Sequence, residues 1–407
     1  TTGTGAGTSA AGGGSAGTGA GTVAGGGSGG SGTTGAGASA GGDTTGVTAS
    51  TIKIGIHAPL TGAAPLKASS FEAGKDLYWA RGNGGKAVSI YGRRVLVEFR
   101  DDQYNPSHAQ QVCQEMVERE KVFLLIGGGG TDQIQACAQY AERVGVPYLS
   151  GGVTEVGLRS LAFYFAASMS YPEQSRTLAS YIRKVLKVRD ASRVAMVATD
   201  TANFDDAVSA FTQAFPGVQV FRPGKNERGW SVAQNLCTAT QKNYDVVFPL
   251  TAPTYYLELA KAAQCHPRYV GVGITMGLDQ VASTGCEGDR ATEGARFFSP
   301  APAFHNSDTY DRGFRAAGGK DDIEWLLWGL SKSLHQLFLK AGKNLSREGF
   351  VNSTARASVR SGVFPDARFS PQDHFGALNF SVLENVCGRR GNQAGYYVTE
   401  RAFVSGF

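Results

Sequence analysis

The sequence predicts an α/β protein made of two doubly wound parallel-sheet units in tandem, preceded by a Gly-rich tail. Three observations lead there. A chain of 407 residues with 42% hydrophobic content exceeds one small domain and can fill two cores. From Thr51 onward, strand and helix patterns alternate, and the alternation restarts at Val194. Cysteines fall at equivalent places in the two halves.

Residues 1–49 are nearly all Gly, Ala, Ser and Thr, with Asp43 the only charge. Such a stretch has no apolar face to offset the entropy of ordering, so it reads as a disordered linker. Its root-mean-square span would be roughly 35–42 Å. At 51–56 the alternation Thr-Ile-Lys-Ile-Gly-Ile marks a strand. A helix follows at 69–81, stopped by Gly82-Asn83-Gly84-Gly85. Next come a strand at 95–100, a helix at 106–120, a buried strand at 122–126, a helix at 132–144 and a short strand at 147–150.

The second unit repeats this pattern. Strands are expected at 194–198, 218–221, 246–250 and 269–272, and helices at 205–215, 230–241 and 255–264. A long amphipathic helix at 323–341 needs a core, and its position suggests that the chain returns to the first unit. Cys113 and Cys137 lie on the second and third helices of the first unit. Cys237 and Cys265 lie at the matching places of the second. In a sheet of order 2-1-3-4 those helices are neighbours on one face. That pairs Cys113 with Cys137 and Cys237 with Cys265, and by elimination Cys286 with Cys387. Six cysteines without a CxxC pair or zinc-finger spacing fit three disulfides in an oxidising compartment, with inert buried thiols as the other reading.

Several function classes are excluded or disfavoured. The net charge of +5 is modest and scattered, so a nucleic-acid partner is not expected. No stretch approaches the roughly 18 consecutive apolar residues of a membrane span. A dinucleotide fingerprint fails, because Gly127 to Gly130 is followed by Thr-Asp-Gln-Ile. No Gly-x-Ser-x-Gly elbow occurs, and no histidine has an evident nucleophile partner. His57 is expected near a cleft mouth, His305 and His335 in structural or exposed places. Asp101-Asp102 reads either as a metal or acid/base pair or as a strand end capping the helix at Pro106, the latter favoured. Neither an enzyme, nor a metal, nor a cofactor is expected.

Five motifs run in order: IGIHAPLTG at 54–62, FRDDQYNP at 99–106, IGGGGT at 126–131, GVPYLSG at 145–151 and FSPQDHFG at 369–376. Together they resemble the type I periplasmic binding proteins, in the branch serving branched-chain amino-acid and amide ABC importers. The resemblance implies two lobes joined by three crossing strands, the first at 51–167 plus 299–364 and the second at 168–298 plus 365–407. It implies a receptor that captures a small organic molecule between the lobes by hinge closure and delivers it to ABC permease subunits. The chain would act as an extracytoplasmic monomer, periplasmic or cell-surface. A lipidated Cys just before Thr1 would be its sole membrane attachment. A sensor feeding a membrane signalling partner is the other non-enzymatic reading.

The same resemblance places the site. Leu66 and Lys67 of the first loop, Gly129, Gly130 and Thr131, and Gly152, Val153 and Thr154 would wall it from the first lobe. Asn203, Phe204, Thr251, Tyr255, Gly273, Ile274 and Met276 would do so from the second. Independently, glycines admit close backbone approach, and the free N–H groups of a helix opening at Thr131 and Asp132 favour an anion. Those glycines could equally serve only tight strand-to-helix turns. Family members that bind branched-chain amino acids hold the ammonium with an acidic residue where this chain has Gly273, Ile274, Thr275 and Met276. Phe204 also stands where an aromatic hydroxyl is expected. The expected ligand is therefore a small carboxylate or amide with an apolar or aromatic body and no free ammonium. The alternatives are a branched-chain amino-acid receptor and a substitute acid at Asp200 or Asp279.

Overall fold

Strand β1 (Thr51–Ala58) carries the centre of the first sheet. Its neighbours are β2 (Ser89–Ile90), β3 (Arg93–Asp101), β4 (Leu124–Gly127), β5 (Tyr148–Ser150) and β6 (Tyr164–Ala166), in the order β2-β3-β1-β4-β5-β6. All pairings are parallel except the short edge strand β2, and Ile54 stands opposite Val97 on one side and Leu124 on the other. The second sheet contains β7 (Val194–Ala198), β8 (Gln219–Phe221), β11 (Val246–Leu250), β12 (Arg268–Gly271), β13 (Arg296–Ser299), β16 (Phe380–Arg390) and β17 (Gln393–Val404). Its order is β17-β16-β13-β12-β11-β7-β8, the last two strands in sequence forming an antiparallel ribbon on one edge. Two short hairpins, β9 (Cys237–Thr238) with β10 (Gln241–Lys242) and β14 (Ser358–Val359) with β15 (Ala367–Arg368), complete the strands. This computed structural model describes residues 42–62, 64–238, 241–272 and 277–407.

Both sheets are covered on both faces, which is why their central strands read as near-continuous apolar runs. Side chains alternate across the pleat. Val194, Met196 and Ala198 pack with helices Tyr171–Lys184 and Asp205–Ala214, while Ala195 and Val197 face helices Trp230–Leu236 and Pro253–Ala262. In the first sheet, Leu124 and Ile126 join the core holding the long helix Asp322–Ala341, and Leu125 joins the opposite one. That helix buries Trp325, Leu326, Trp328, Leu334, Leu337 and Phe338 against the first sheet, so the chain does return there.

The three disulfides are Cys113–Cys137, Cys237–Cys265 and Cys286–Cys387, with Cα separations of 6.0, 5.8 and 5.2 Å. The first two are the pairs that the helix positions predict, and the third is the one left by elimination.

Several details depart from expectation. The helix expected at 69–81 is two pieces, Ala68–Gly74 and Leu77–Arg81. Gly74, a poor helix former, ends the first piece, pressed so close to the long helix that a Cβ on it would lie 2.9 Å from Glu324 Cα. The helix expected at 230–241 stops at Leu236, because Cys237 turns extended where it is tied to Cys265. Asn105, not Asp101 or Asp102, caps helix Pro106–Glu118, its side chain accepting from His108 N. Of the expected linker, residues 1–41 lie outside the described residues. Residues 42–49 pack onto the first sheet: Asp43 pairs with the buried Arg347, and Gly46 O accepts from Lys53 N. The first core also keeps Ala367 and Phe369, and Phe375 packs beneath β6, all beyond the expected 364/365 boundary. The second core resumes at Phe380.

Candidate functional site

In an open parallel sheet the loops after the strands' carboxyl ends gather at one edge, where ligands bind. Here those loops from both sheets face each other across a cavity of about 610 Å³. From the first sheet come the loop after β1, the Gly128–Gly130 turn after β4 and Gly151–Val153 after β5. From the second come Thr199 to Phe204 after β7, Gly224 to Arg228 after β8 and Thr251 to Tyr255 after β11. Leu326 and Leu330 of the long helix, with Pro300 and Phe364, close the inner end.

Two glycines are dictated by this geometry. Gly130 has φ +76°, a left-handed conformation costly for other residues, and it aims the backbone into helix Thr131–Arg143. Gly152 has no room for a side chain, since a Cβ would lie 2.1 Å from Ser168 O. Its N–H donates to Ser168 Oγ at 2.8 Å, fixing the wall.

Nine predicted residues line the cavity: Leu66, Gly129, Gly130, Thr131, Gly152, Val153, Phe204, Thr251 and Tyr255. Three lie beside it. Lys67 reaches Asp321 at 3.8 Å. Thr154 is buried and donates to Asp206 Oδ2 at 2.9 Å. Asn203 donates to Asp132 Oδ1. Gly273, Ile274 and Met276 lie outside the described residues. The two candidate substitute acids are elsewhere: Asp200 pairs with Arg222 at 3.1 Å, and buried Asp279 accepts from Tyr397 N at 3.1 Å.

Four of the charges on the wall are paired with one another. Asp132, in the first turn of its helix, accepts from both Asn203 Nδ2 and Lys225 Nζ. Arg228 grips Glu258 through Nε at 3.0 Å and Nη2 at 2.5 Å, and Gly229 N donates to the same carboxylate at 3.0 Å. Glu227 accepts from Gly224 N at 2.9 Å. Burial raises the phenols of Tyr104, Tyr171 and Tyr255, Tyr171 to about 12, and Asp132 and Asp102 raise Tyr104 further. All three remain neutral hydroxyls at physiological pH. The remaining wall is largely apolar.

His57 is not at the cleft mouth. It is fully buried, its Nδ1 2.8 Å from Asp102 Oδ2 and its Nε2 2.7 Å from Tyr148 Oη. Strand alternation turns it inward under the Gly127–Gly130 turn. Asp101 binds the first loop through Leu60 N at 2.8 Å and Thr61 Oγ1 at 2.6 Å. Both aspartates are thus occupied in shaping loops rather than presented to a reactant. His57 and the sulfurs of Cys113 and Cys137 lie within 4.8 Å of one another, but those sulfurs are bonded together and offer no thiolate to a metal.

Sequence reasoning missed Lys225, Tyr104, Tyr171, Leu326, Leu330 and Phe364. Lys225 stands at the carboxyl end of β8, where the strand-end rule could have found it. Leu326 and Leu330 carry only a helical apolar period, which looks the same in a core and in a cleft.

Residues 51–386 match the family described as periplasmic binding protein. The Leu/Ile/Val-binding protein homolog 6 of Brucella abortus is 27% identical over 168 residues, a stretch that spans 41% of this chain and 41% of that relative. The fold is similar to a fatty acid ABC transporter substrate-binding protein from Thermomonospora curvata (TM-score 0.70, 17% identity, 89% of this chain and 95% of that one). It is also similar to an ABC transporter solute binding protein from R. palustris in complex with 4-hydroxybenzoate (TM-score 0.68, 17% identity, 87% and 98%). With two such sheets meeting at a cleft between their strand ends, and the family match running through both, the chain belongs to the periplasmic binding protein family.

Proposed function

We propose that the protein is a non-enzymatic, extracytoplasmic receptor that closes its cleft around one small organic molecule and hands it to an ABC importer. The carrying observation is the cavity itself: it is walled by the strand ends of two separate sheets, each with its own core, joined within one chain. Such a join allows hinge closure whenever ligand contacts favour the closed state.

The wall chemistry supports a ligand with a carboxylate or amide end and an apolar or aromatic body. Thr131 and the turn before it offer an anion the start of a 13-residue helix. Phe204, Leu326, Leu330 and Phe364 offer the body an apolar bed. The acids on the wall, Asp132, Glu227 and Glu258, are each engaged by the protein's own donors. A ligand ammonium pairing with Asp132 or Glu258 would compete with Lys225 or Arg228 already there. The fatty-acid and 4-hydroxybenzoate receptors of the same fold fit this class. The Brucella relative's name favours a branched-chain amino acid instead.

A thermal-shift screen of carboxylates, amides and amino acids, followed by calorimetric titration, separates the two. A ligand at about 100 times its Kd raises stability by about 2.7 kcal/mol. Leucine, isoleucine or valine binding below about 10 μM, or about −7 kcal/mol, overturns the carboxylate reading in favour of the amino-acid one. Tight binding without a decrease in radius of gyration from an open form overturns hinge closure.

A further inference from the structure

Among the residues lining the cavity, Lys225 and Arg228 are the cations. They are held in different ways. Arg228 comes from the loop after β8 and Glu258 from helix Pro253–Ala262, both on the second-sheet side, and the carboxylate takes two guanidinium bonds and a backbone N–H. That arrangement is self-contained. Lys225 reaches across the cleft to Asp132, at the start of the helix that follows β4. It holds a single carboxylate oxygen, and an ammonium has three donors. Its side chain is 56% exposed, so donors remain available to the cavity. The other oxygen of Asp132 is bound by Asn203. Asp132 therefore keeps one hydrogen-bond donor when Lys225 turns away, which lowers the cost of releasing it.

We propose that Lys225 selects the charge of the ligand: its ammonium is exchanged between Asp132 and the ligand's carboxylate, with Asp132 an internal competitor and Asn203 its holder. This rests on the cleft being the ligand site. The competitor has a consequence for specificity. A carboxylate ligand can displace or share Asp132, because it offers the ammonium an equal charge. A neutral amide cannot match that charge and gains nothing from Lys225. Affinity for a carboxylate is thus set by a contest between two acids for one base.

The test is calorimetric titration of the full chain with 4-hydroxybenzoate and octanoate, each matched against its primary amide. Lys225→Met should weaken carboxylate binding about ten- to hundredfold, the range for a lost charge-assisted bond, and leave the amides within about threefold. Lys225→Arg should keep most of the carboxylate preference. Asp132→Asn should tighten carboxylate binding about three- to tenfold, because the competitor loses its charge while its amide can still pair with Asn203. Unchanged melting temperatures show that the variants fold. Equal weakening of acid and amide by Lys225→Met would mean that the lysine only holds the walls together, and overturns the proposal. Weaker carboxylate binding in Asp132→Asn overturns it too, while leaving the receptor reading intact. Wild-type protein that binds leucine but none of the four probes overturns the carboxylate reading itself, and this inference with it.

Discussion

Gly127 ends β4 and begins the cavity wall, and the groups beneath it permit a quantitative test of how that wall is held. A methyl group at this position would lie 2.2 Å from Tyr148 Oη and 2.8 Å from Ile134 Cγ1. Tyr148 cannot swing aside. It is 1% exposed, its hydroxyl is tied to His57 at 2.7 Å, His57 is tied to Asp102 at 2.8 Å, and its ring stacks on Tyr164. Gly127→Ala should therefore cost about 1–3 kcal/mol by overpacking. Tyr148→Phe removes the obstructing oxygen but leaves His57 Nε2 without its partner, a further cost of about 1–3 kcal/mol. In the Phe background the nearest ring atom to the added methyl is Cζ at 3.1 Å, so the ring must give by a few tenths of an ångström and Ile134 by more, a smaller clash than the oxygen's. The alanine should then cost about 1 kcal/mol or less, a coupling of about 1–2 kcal/mol. Urea unfolding of the four proteins measures the cycle. Additivity within about 0.5 kcal/mol would show that Tyr148 does not brace Gly127, and would refute the reasoning.

Three further outcomes follow from groups away from the wall. Burial, with Asp279 and Asp321 adding, pushes the Asp322 carboxyl up to about 7, whereas unfolded it ionises near pH 4. Its ionisation therefore costs stability progressively as pH rises from about 4 through 7. Asp322→Asn should gain on wild type by about 1 kcal/mol or more at pH 8 relative to pH 5; equal shifts at both pH values would contradict this. Replacing Cys286 and Cys387 by Ser opens a 101-residue loop and should lower unfolding free energy by about 4–5 kcal/mol, read from a falling urea midpoint; an unmoved midpoint excludes it. Asp206 does not line the cavity, yet its Oδ2 receives Thr154 Oγ1 at 2.9 Å and Glu155 N at 2.7 Å from the opposite wall. Asp206→Ala should weaken every ligand by one common factor, about threefold or more, and ligand-selective weakening would rule that out.

What the sequence makes legible divides along a physical line. Strand and helix identity follows from local period, so β1, β7 and β11 are readable from their apolar runs. The disulfide partners are readable because helix order on a doubly wound sheet is fixed by topology. The glycines after β4 and β5 are readable because only a tight turn with a close backbone neighbour needs them there. The break between Gly74 and Leu77 is not readable, because it reflects how closely a helix 250 residues later approaches. His57 shows the same limit: its position at a strand's end suggests the cleft, and only the pleat and the tertiary neighbours Asp102 and Tyr148 turn it inward. Lys225 and Asp132 are both plain in the sequence, but their pairing is a property of two sheets meeting. Neither residue's surroundings predict it.

That pairing also bears on how a cleft carrying five charged side chains would close on an apolar molecule. Closing would remove water from the cavity wall, where Asp132 is paired with Lys225 and Glu258 with Arg228. An unpaired charge in that setting would cost several kcal/mol, enough to hold the cleft open. Arg228 and Glu258, both from the second-sheet wall, are already satisfied before the walls meet, so they neither favour nor oppose closure strongly. Asp132 and Lys225 belong to opposite walls and satisfy each other only when the walls approach. On the proposed exchange, this is the cross-wall pair that a ligand carboxylate would divide, the ligand taking the place of Asp132 on the ammonium. Asp206 does not line the cavity, so in the proposed closure its bonds to Thr154 and Glu155 would bear on closure alone. Substitution should therefore separate the two effects: Asp206→Ala is expected to change how readily the cleft shuts, and Lys225→Met what it shuts upon.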